Sequence, residues 1–134
     1  MLAAFPLLII VIALANVILL FGGGDLNAAM FTLPLLSGAS WTMSLGDLLV
    51  GFGLLLLYLE IFKSTRTTTG AIFDHLFSMI LFVVALLQFL AMPAFANSTF
   101  FLLVLMCFID VVAGFTVTIS AARRDIGLDD RARL

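Results

Sequence analysis

The sequence predicts an all-α polytopic membrane protein, a four-transmembrane-helix bundle with both termini cytoplasmic. Hydrophobic residues make up 64% of the 134 residues and charged residues only 10%, with a mean hydropathy of +1.32, whereas soluble domains carry roughly 25% charged residues. Four apolar stretches approach the ~20 residues that a helix needs to cross a bilayer. With four spans, all six Lys and Arg residues fall on one side of the membrane, which the positive-inside rule makes the cytoplasmic side.

The first predicted span covers residues 2–21. It contains Pro6 where the first turn of a helix tolerates proline, and one polar side chain, Asn16. A cleaved signal peptide is the competing interpretation, but it calls for a basic region at the start, which residues 1–5 lack.

A link rich in glycine and proline, residues 23–44, follows the first span. Its apolar middle is too short to cross a bilayer, so we expect an interfacial segment on the outer side, with Trp41 at the depth that indole rings prefer. The second predicted span is 45–62.

The third predicted span, 71–92, ends before Pro93, and the fourth, 98–122, ends at Arg123 and Arg124. Residues 123–134 carry charges of both signs and are predicted to form a solvated cytoplasmic tail. The whole chain, 1–134, is then a single transmembrane domain.

Asp110 lies at the centre of the fourth span, far from either end of its helix. A carboxylate at this depth is costly and marks a functional site or a polar contact. No Lys or Arg lies within the predicted spans, so three hypotheses remain open: a protonated structural group, a contact with another subunit, or a proton or cation carrier.

Three further polar residues, Asn16, Asp47 and Gln88, are predicted within roughly 10 Å of the outer boundary, with Asp110 several ångströms deeper. The four form a candidate intramembrane polar site. Each of the three also has an ordinary interpretation: Asp47 fits a capping box that begins at Ser44, and Asn16 and Gln88 fit interhelical hydrogen bonds.

Small residues predict where helices approach closely. Gly51 and Gly53 of the second span and Gly114 of the fourth are the candidate packing positions, and Asp110 with Gly114 forms a candidate docking face. At the cytoplasmic edge, basic side chains are expected to contact anionic lipid headgroups: Lys63, Arg66, Arg123 and Arg124. With Glu60, Asp74 and His75 they are also expected to form an interfacial ion-pair network.

Several classes of function find no support in the sequence. The single cysteine, Cys107, excludes an intrachain disulfide or a cysteine metal cluster, and the single histidine, His75, excludes bis-histidine haem ligation within one chain. No arrangement of nucleophile, base and oxyanion donors is recognisable, so we expect no enzyme, cofactor or metal. No basic stretch interleaved with aromatic residues indicates nucleic-acid binding.

Two runs, STFFLLVLMCFIDVVAGFTVTISAARRDIG and SLGDLLVGFGLLLLYLEIFKSTRT, cover most of residues 44–127. In these runs the chain resembles uncharacterised small four-span inner-membrane proteins of alphaproteobacteria. The resemblance implies a bacterial inner membrane and no function or site. Small multidrug transporters differ, because they place a carboxylate in the first span, where this chain has Asn16, and the charged motifs of glutathione-linked membrane enzymes are absent.

The sequence therefore favours a protein that acts by helix–helix association in the lipid bilayer. It would be an accessory or assembly subunit of a membrane complex, or a homo-oligomer. The alternative is a small proton- or cation-coupled transporter or channel that uses Asp110.

Overall fold

The computed structural model describes residues 5–64 and 69–132, with side chains described for 5–64, 73–117 and 119–120. This part of the chain is mostly helical. Its elements, in order, are helix α1 (Leu8–Phe21), strands β1 (Ala29–Pro34) and β2 (Ser40–Ser44), helices α2 (Leu45–Ser64) and α3 (Thr69–Ala91), a 3-10 turn (Pro93–Phe95) and helix α4 (Ser98–Ala132).

Three of the helices are long and apolar enough to cross a membrane. They provide the segments Leu45–Ser64, Phe73–Ala91 and Ser98–Val117, which match the second, third and fourth predicted spans. The first differs: α1 is an apolar helix of 14 residues, about 21 Å long. The helix begins only after Pro6, which has no N–H for an intrahelical bond.

Helix α4 is longer than its predicted span. It has 35 residues, about 52 Å at ~1.5 Å per residue, and its backbone stays helical past Arg123, where the sequence predicts a solvated tail. The residues beyond the apolar span include no proline. Most of them are acceptable helix formers, so nothing in the chain chemistry ends the helix at the membrane edge.

The link between the first two helices, predicted as an interfacial segment, contains a β-hairpin. Strands β1 and β2 are antiparallel, and Thr32 pairs with Thr42 at the centre of the register. Gly38, with φ of 83°, makes the turn between them and donates its N–H to the Leu35 carbonyl at 3.0 Å. A left-handed φ of this kind favours glycine, so the Ser37–Gly38 pair was a turn signal.

The base of the hairpin is fixed to the bundle. The N–H groups of Leu45 and Gly46 donate to the carbonyls of Ala28 and Leu26, at 3.0 and 2.8 Å. A Cβ on Gly46 would lie 2.5 Å from the Thr99 hydroxyl. The first turns of α2 and α4 and the base of the hairpin therefore meet at one end of the bundle.

Helix α4 is the centre of the core and packs mainly against α2 and α3. Its buried side chains include Leu103 and Cys107, which belong to one apolar cluster shared with the other helices. At the turn between α3 and α4, the buried rings of Phe95 and Phe100 meet edge to face with centroids 4.7 Å apart. This contact packs the connecting turn against the first turn of α4.

Candidate functional site

A cluster of charged and polar side chains lies at the end of the bundle opposite the hairpin. We call it the Lys63 cluster, and its members come from three helices: Glu60 and Lys63 from α2, Asp74 and Ser78 from α3, and Asp110 from α4. The last two turns of α2 and the first three turns of α3 provide four of these residues. All except Lys63 are buried.

Lys63 is the centre of the cluster. Its ammonium nitrogen lies 2.6 Å from Glu60 Oε1 and 2.8 Å from Asp74 Oδ1. It also donates to the Phe5 carbonyl at 2.8 Å. Three oxygens therefore surround a group that has three N–H donors.

Glu60 also holds the start of α1. Its Oε2 accepts a hydrogen bond from the Leu7 N–H at 2.5 Å, so a carboxylate from α2 satisfies one of the free N–H groups at the N-terminus of α1. Anions are favoured at this end of a helix by the helix dipole. With the Lys63 bond to Phe5, two side chains of α2 position the beginning of α1.

Asp110 belongs to this cluster. It is 5% exposed, accepts a hydrogen bond from the Ser78 hydroxyl, and interacts electrostatically with Asp74, Lys63 and His75. A cation of the same chain, Lys63, therefore acts on Asp110. The predicted second span stops at Phe62, but α2 continues through Ser64 and carries Lys63 into the bundle, where its side chain is 20% exposed.

His75 lies beside the cluster and packs on α4. Its ring meets Phe115 edge to face, with centroids 4.2 Å apart. A Cβ on Gly114 would overlap His75 Nδ1, so only glycine lets the ring come this close. Together with Asp110, Gly114 faces α3 of the same chain. The face predicted to dock another subunit is therefore used inside the bundle.

A second polar contact joins α1 and α3 near the hairpin end. Gln88 Nε2 donates to Asn16 Oδ1 at 2.7 Å, and Asn16 Nδ2 donates to Gln88 Oε1 at 3.3 Å. Asn16 also donates to the Ile12 carbonyl. This reciprocal pair is the interhelical hydrogen bond that the sequence offers as the ordinary interpretation of both residues.

Asp47 lies apart from both groups. Its carboxylate accepts from the N–H and the hydroxyl of Ser44, at 2.9 and 2.7 Å, while the Ser44 hydroxyl accepts from the Asp47 N–H at 3.1 Å. This geometry is that of a capping box at the start of α2.

The four residues of the candidate intramembrane site do not converge. Ser78, the partner of Asp110, lies ten residues before Gln88 on α3, about 15 Å along the helix. Buried side chains between these two levels are apolar, and they include Ala85 of α3 and Leu103, Val104 and Cys107 of α4. We call this region the apolar layer.

The predicted packing glycines differ from one another. A Cβ on Gly53 would lie 2.9 Å from Met106 Sδ and 3.0 Å from Leu103 Cδ2, so Gly53 lets α2 approach α4 closely. Gly51, two residues earlier, faces open space, because nothing lies within 4 Å of its Cβ position. Within the described chain, Gly51 therefore has no packing role.

Among the basic residues predicted to contact lipid headgroups, Lys63 is instead engaged by carboxylates. Arg66 lies outside the described residues, as do the side chains of Arg123 and Arg124. Among the described residues, no group of three His, Cys, Asp or Glu side chains is placed to hold a metal ion.

The pairing of Ser78 with Asp110 had a signal in the sequence. Asp110 lies 12 residues after the start of α4, and Ser78 lies 13 residues before the end of α3. Two antiparallel helices joined by a short turn bring positions equally far from that turn to the same depth. Glu60 had a different signal, since it lies three residues before Lys63 on α2, a spacing that favours an ion pair. Its bond to the backbone N–H of Leu7 gave no signal.

Comparison with known proteins finds no match to this chain among protein-family models, curated proteins or solved structures. Its function is inferred from the residues themselves.

Proposed function

We propose that this protein is a four-span protein of a bacterial inner membrane with both termini in the cytoplasm. Three apolar helices support a membrane location. The side assignment is supported by the distribution of Lys and Arg, all of which fall on the side of residues 63–66 and the C-terminus. The bacterial inner membrane is supported by the resemblance described above.

The contacts of α1 support its role as a membrane span beside α2, α3 and α4. Its beginning is tied to the end of α2 by Glu60 and Lys63, and Asn16, toward its other end, is tied to Gln88 near the end of α3. These two attachment points are nine residues apart, about 14 Å along the helix axis. They hold α1 against the other helices over about half of the ~30 Å thickness of a hydrocarbon core.

Within the membrane, the protein acts by helix–helix association, as an accessory or assembly subunit or as a homo-oligomer. One observation carries this proposal: the buried polar residues Glu60, Asp74, Ser78 and Asp110 have partners inside the chain, and the side chains that the helices present outward are mostly apolar. Gly51 lies on this outward surface with nothing packed on it. A small residue on a lipid-facing helix allows a second helix to approach closely.

The test is extraction of the protein at its natural abundance into native lipid nanodiscs, followed by mass determination and identification of every co-purifying chain. We expect a fixed stoichiometry, either with a second protein or with further copies of this chain. A monomer without partners would overturn the proposal. The variant Gly51→Leu tests the contact with a second helix. It adds a large side chain at a position where no atom of the described chain is close, so it should block the partner without disturbing the fold.

A second candidate function is a proton or cation carrier centred on Asp110. The observation that favours it is the Lys63 cluster, in which the carboxylates of Glu60 and Asp74 bind the partly exposed ammonium of Lys63, and Lys63 and Asp74 act electrostatically on buried Asp110. The apolar layer counts against it, because the described side chains provide no polar path from the cluster to Asn16 and Gln88.

Proton flux into liposomes that contain the purified protein separates the two candidates. A carrier role requires that Asp110→Asn abolish the flux, since an amide cannot take up and release the proton. Association requires that the same variant assemble as the natural protein does. Ser78→Ala is the control, since it disturbs the Asp110 site and leaves the carboxylate in place.

A further inference from the structure

The β-hairpin has two chemically different faces. In the observed register Leu33 pairs with Trp41 and Thr32 with Thr42. Because side chains alternate across a strand, one face carries Phe31, Leu33, Trp41 and Met43, and the opposite face carries Thr32, Pro34, Ser40 and Thr42. We call these the aromatic face and the threonine face.

The aromatic face is not covered by the described chain. Phe31, Leu33 and Trp41 are each more than 40% exposed, and the rings of Phe31 and Trp41 touch edge to face at 6.3 Å. At the tip, Leu36 is fully exposed. On the threonine face, the hydroxyls of Thr32 and Thr42 form a hydrogen bond with each other at 2.9 Å.

The exposed apolar side chains of this hairpin need to be covered by another apolar surface. Two strands alone are marginally stable in water, and this pair exposes large apolar side chains on one face and at its tip. No charged residue occurs between Leu26 and Gly46, so the segment has no electrostatic reason to stay in solvent or to bind a charged partner.

We propose that the aromatic face lies in the headgroup boundary of the bilayer, at the end of the bundle where α1 ends and α2 begins. Continuity with the lipid-facing surface argues for lipid as the occupant. Strand β2 passes into α2 without a loop, and the base of the hairpin is bonded to the first turn of that helix. Indole and other aromatic rings concentrate at this boundary.

The threonine face then points toward water and headgroups, where hydroxyls and the free N–H and C=O groups of the strand edges find hydrogen-bond partners. The hairpin would fix the rotation and depth of α2, in the way that interfacial aromatic residues anchor transmembrane helices. This contact with lipid is independent of the association proposed above, since a monomer would make it equally well.

Trp41 is the only tryptophan in the chain, so its fluorescence reports on the aromatic face alone. The experiment uses the full protein in phosphatidylcholine vesicles at a low protein-to-lipid ratio. Two kinds of quencher are compared: acrylamide in the water, and phosphatidylcholine brominated either near the glycerol backbone or at the chain ends. The matched control is the double variant Trp41→Phe, Ser40→Trp, which moves the indole to the threonine face and leaves the Thr32–Thr42 bond intact.

We expect Trp41 to emit at shorter wavelength than free tryptophan, to be quenched most by lipid brominated near the glycerol, and to be poorly quenched by acrylamide. The control indole should show the reverse preference. Equal acrylamide quenching of the two indoles, without quenching by lipid, would overturn the proposal. A Trp41 shielded from both quenchers would also overturn it, because protein would then cover the aromatic face.

Discussion

At the scale of single residues, the buried polar groups bind each other across helices. Asp110 accepts from Ser78, Lys63 reaches two carboxylates, and Glu60 accepts from a backbone N–H of the neighbouring helix. In hydrocarbon a polar group without a partner is costly. These residues therefore contribute first to stability, and any carrier role would be added to it.

Removing the hydrogen bond between Asp110 and Ser78 should cost little. Interhelical hydrogen bonds in membranes average about 0.6 kcal/mol and reach about 1.7 kcal/mol. We expect this coupling energy from a double-mutant cycle of Asp110→Leu and Ser78→Ala, with unfolding followed by helical signal in mixed micelles. Asp110→Asn, which still accepts the bond, is the control. Additive effects of the two substitutions would mean that the two side chains act independently.

Removing Lys63 should cost more. Lys63→Met leaves two nearby buried carboxylates without their shared ammonium, and breaking a buried ion pair costs about 3–5 kcal/mol. We expect the lower end of this range, because Lys63 is partly exposed. The same unfolding assay measures the loss, and Lys63→Arg should retain most of the stability because it keeps the charge. Unchanged stability of Lys63→Met would show that the carboxylates do not depend on this cation.

At the scale of elements, α1 is a short helix that depends on polar contacts with its neighbours. Because lipid is as apolar as the neighbouring helices, the hydrophobic effect does not hold α1 in the bundle. Its position depends on van der Waals packing and on hydrogen bonds to α2 and α3. The contacts of its first turn with α2 and of Asn16 with α3 are therefore the features that dock it.

The pair formed by Asn16 and Gln88 offers a test of this docking. Each single substitution, Asn16→Leu or Gln88→Leu, leaves one amide without its partner and should lower stability by about 1 kcal/mol. The double substitution removes both polar groups and should be close to neutral. Unfolding of all three variants, with crosslinking between α1 and α3, measures the effect. A double variant that loses the sum of the two single effects would contradict the docking role.

The elements also show how far the sequence could be interpreted. Hydropathy and length predicted the helices from α2 to α4 because the bilayer imposes a minimum length on apolar helices. The hairpin was missed since its strands are apolar and lack charged breaks, and the turn at Gly38 was too weak a signal to separate a hairpin from an irregular link. The predicted convergence of Asn16, Asp47, Gln88 and Asp110 was wrong because Asp110 lies level with Ser78, about 15 Å along α3 from Gln88. Asp47 is instead engaged by Ser44 in its own capping box.

At the scale of the whole molecule, the described part of the bundle buries four charged or polar side chains and presents a mostly apolar surface, on which Gly51 of α2 has nothing packed against it. Such a surface is what a lipid-facing protein needs, and it also permits close contact with another helix at Gly51. The proposed association requires that the α2 surface around Gly51 contacts another helix and not only lipid.

Gly51→Leu addresses this question. Because no atom lies within 4 Å of the Gly51 Cβ position, the added side chain should leave the stability of the isolated chain unchanged. If a second helix packs there, the mass of the complex in native nanodiscs should fall. Gly51→Ala is the milder control and should retain assembly to a greater degree. If Gly51→Leu leaves the mass of the complex unchanged, the partner does not bind at the Gly51 surface.

The reactivity of Cys107 toward alkylating reagents would report how often the helix bundle opens. The thiol is buried in the core that α4 shares with the other helices, and it is the only thiol in the chain. A membrane-permeant alkylating reagent should therefore modify the folded protein only during excursions in which α4 separates from its neighbours. The alkylation rate would time those excursions in living cells, and cysteines added at the surface could be labelled without removing the natural one.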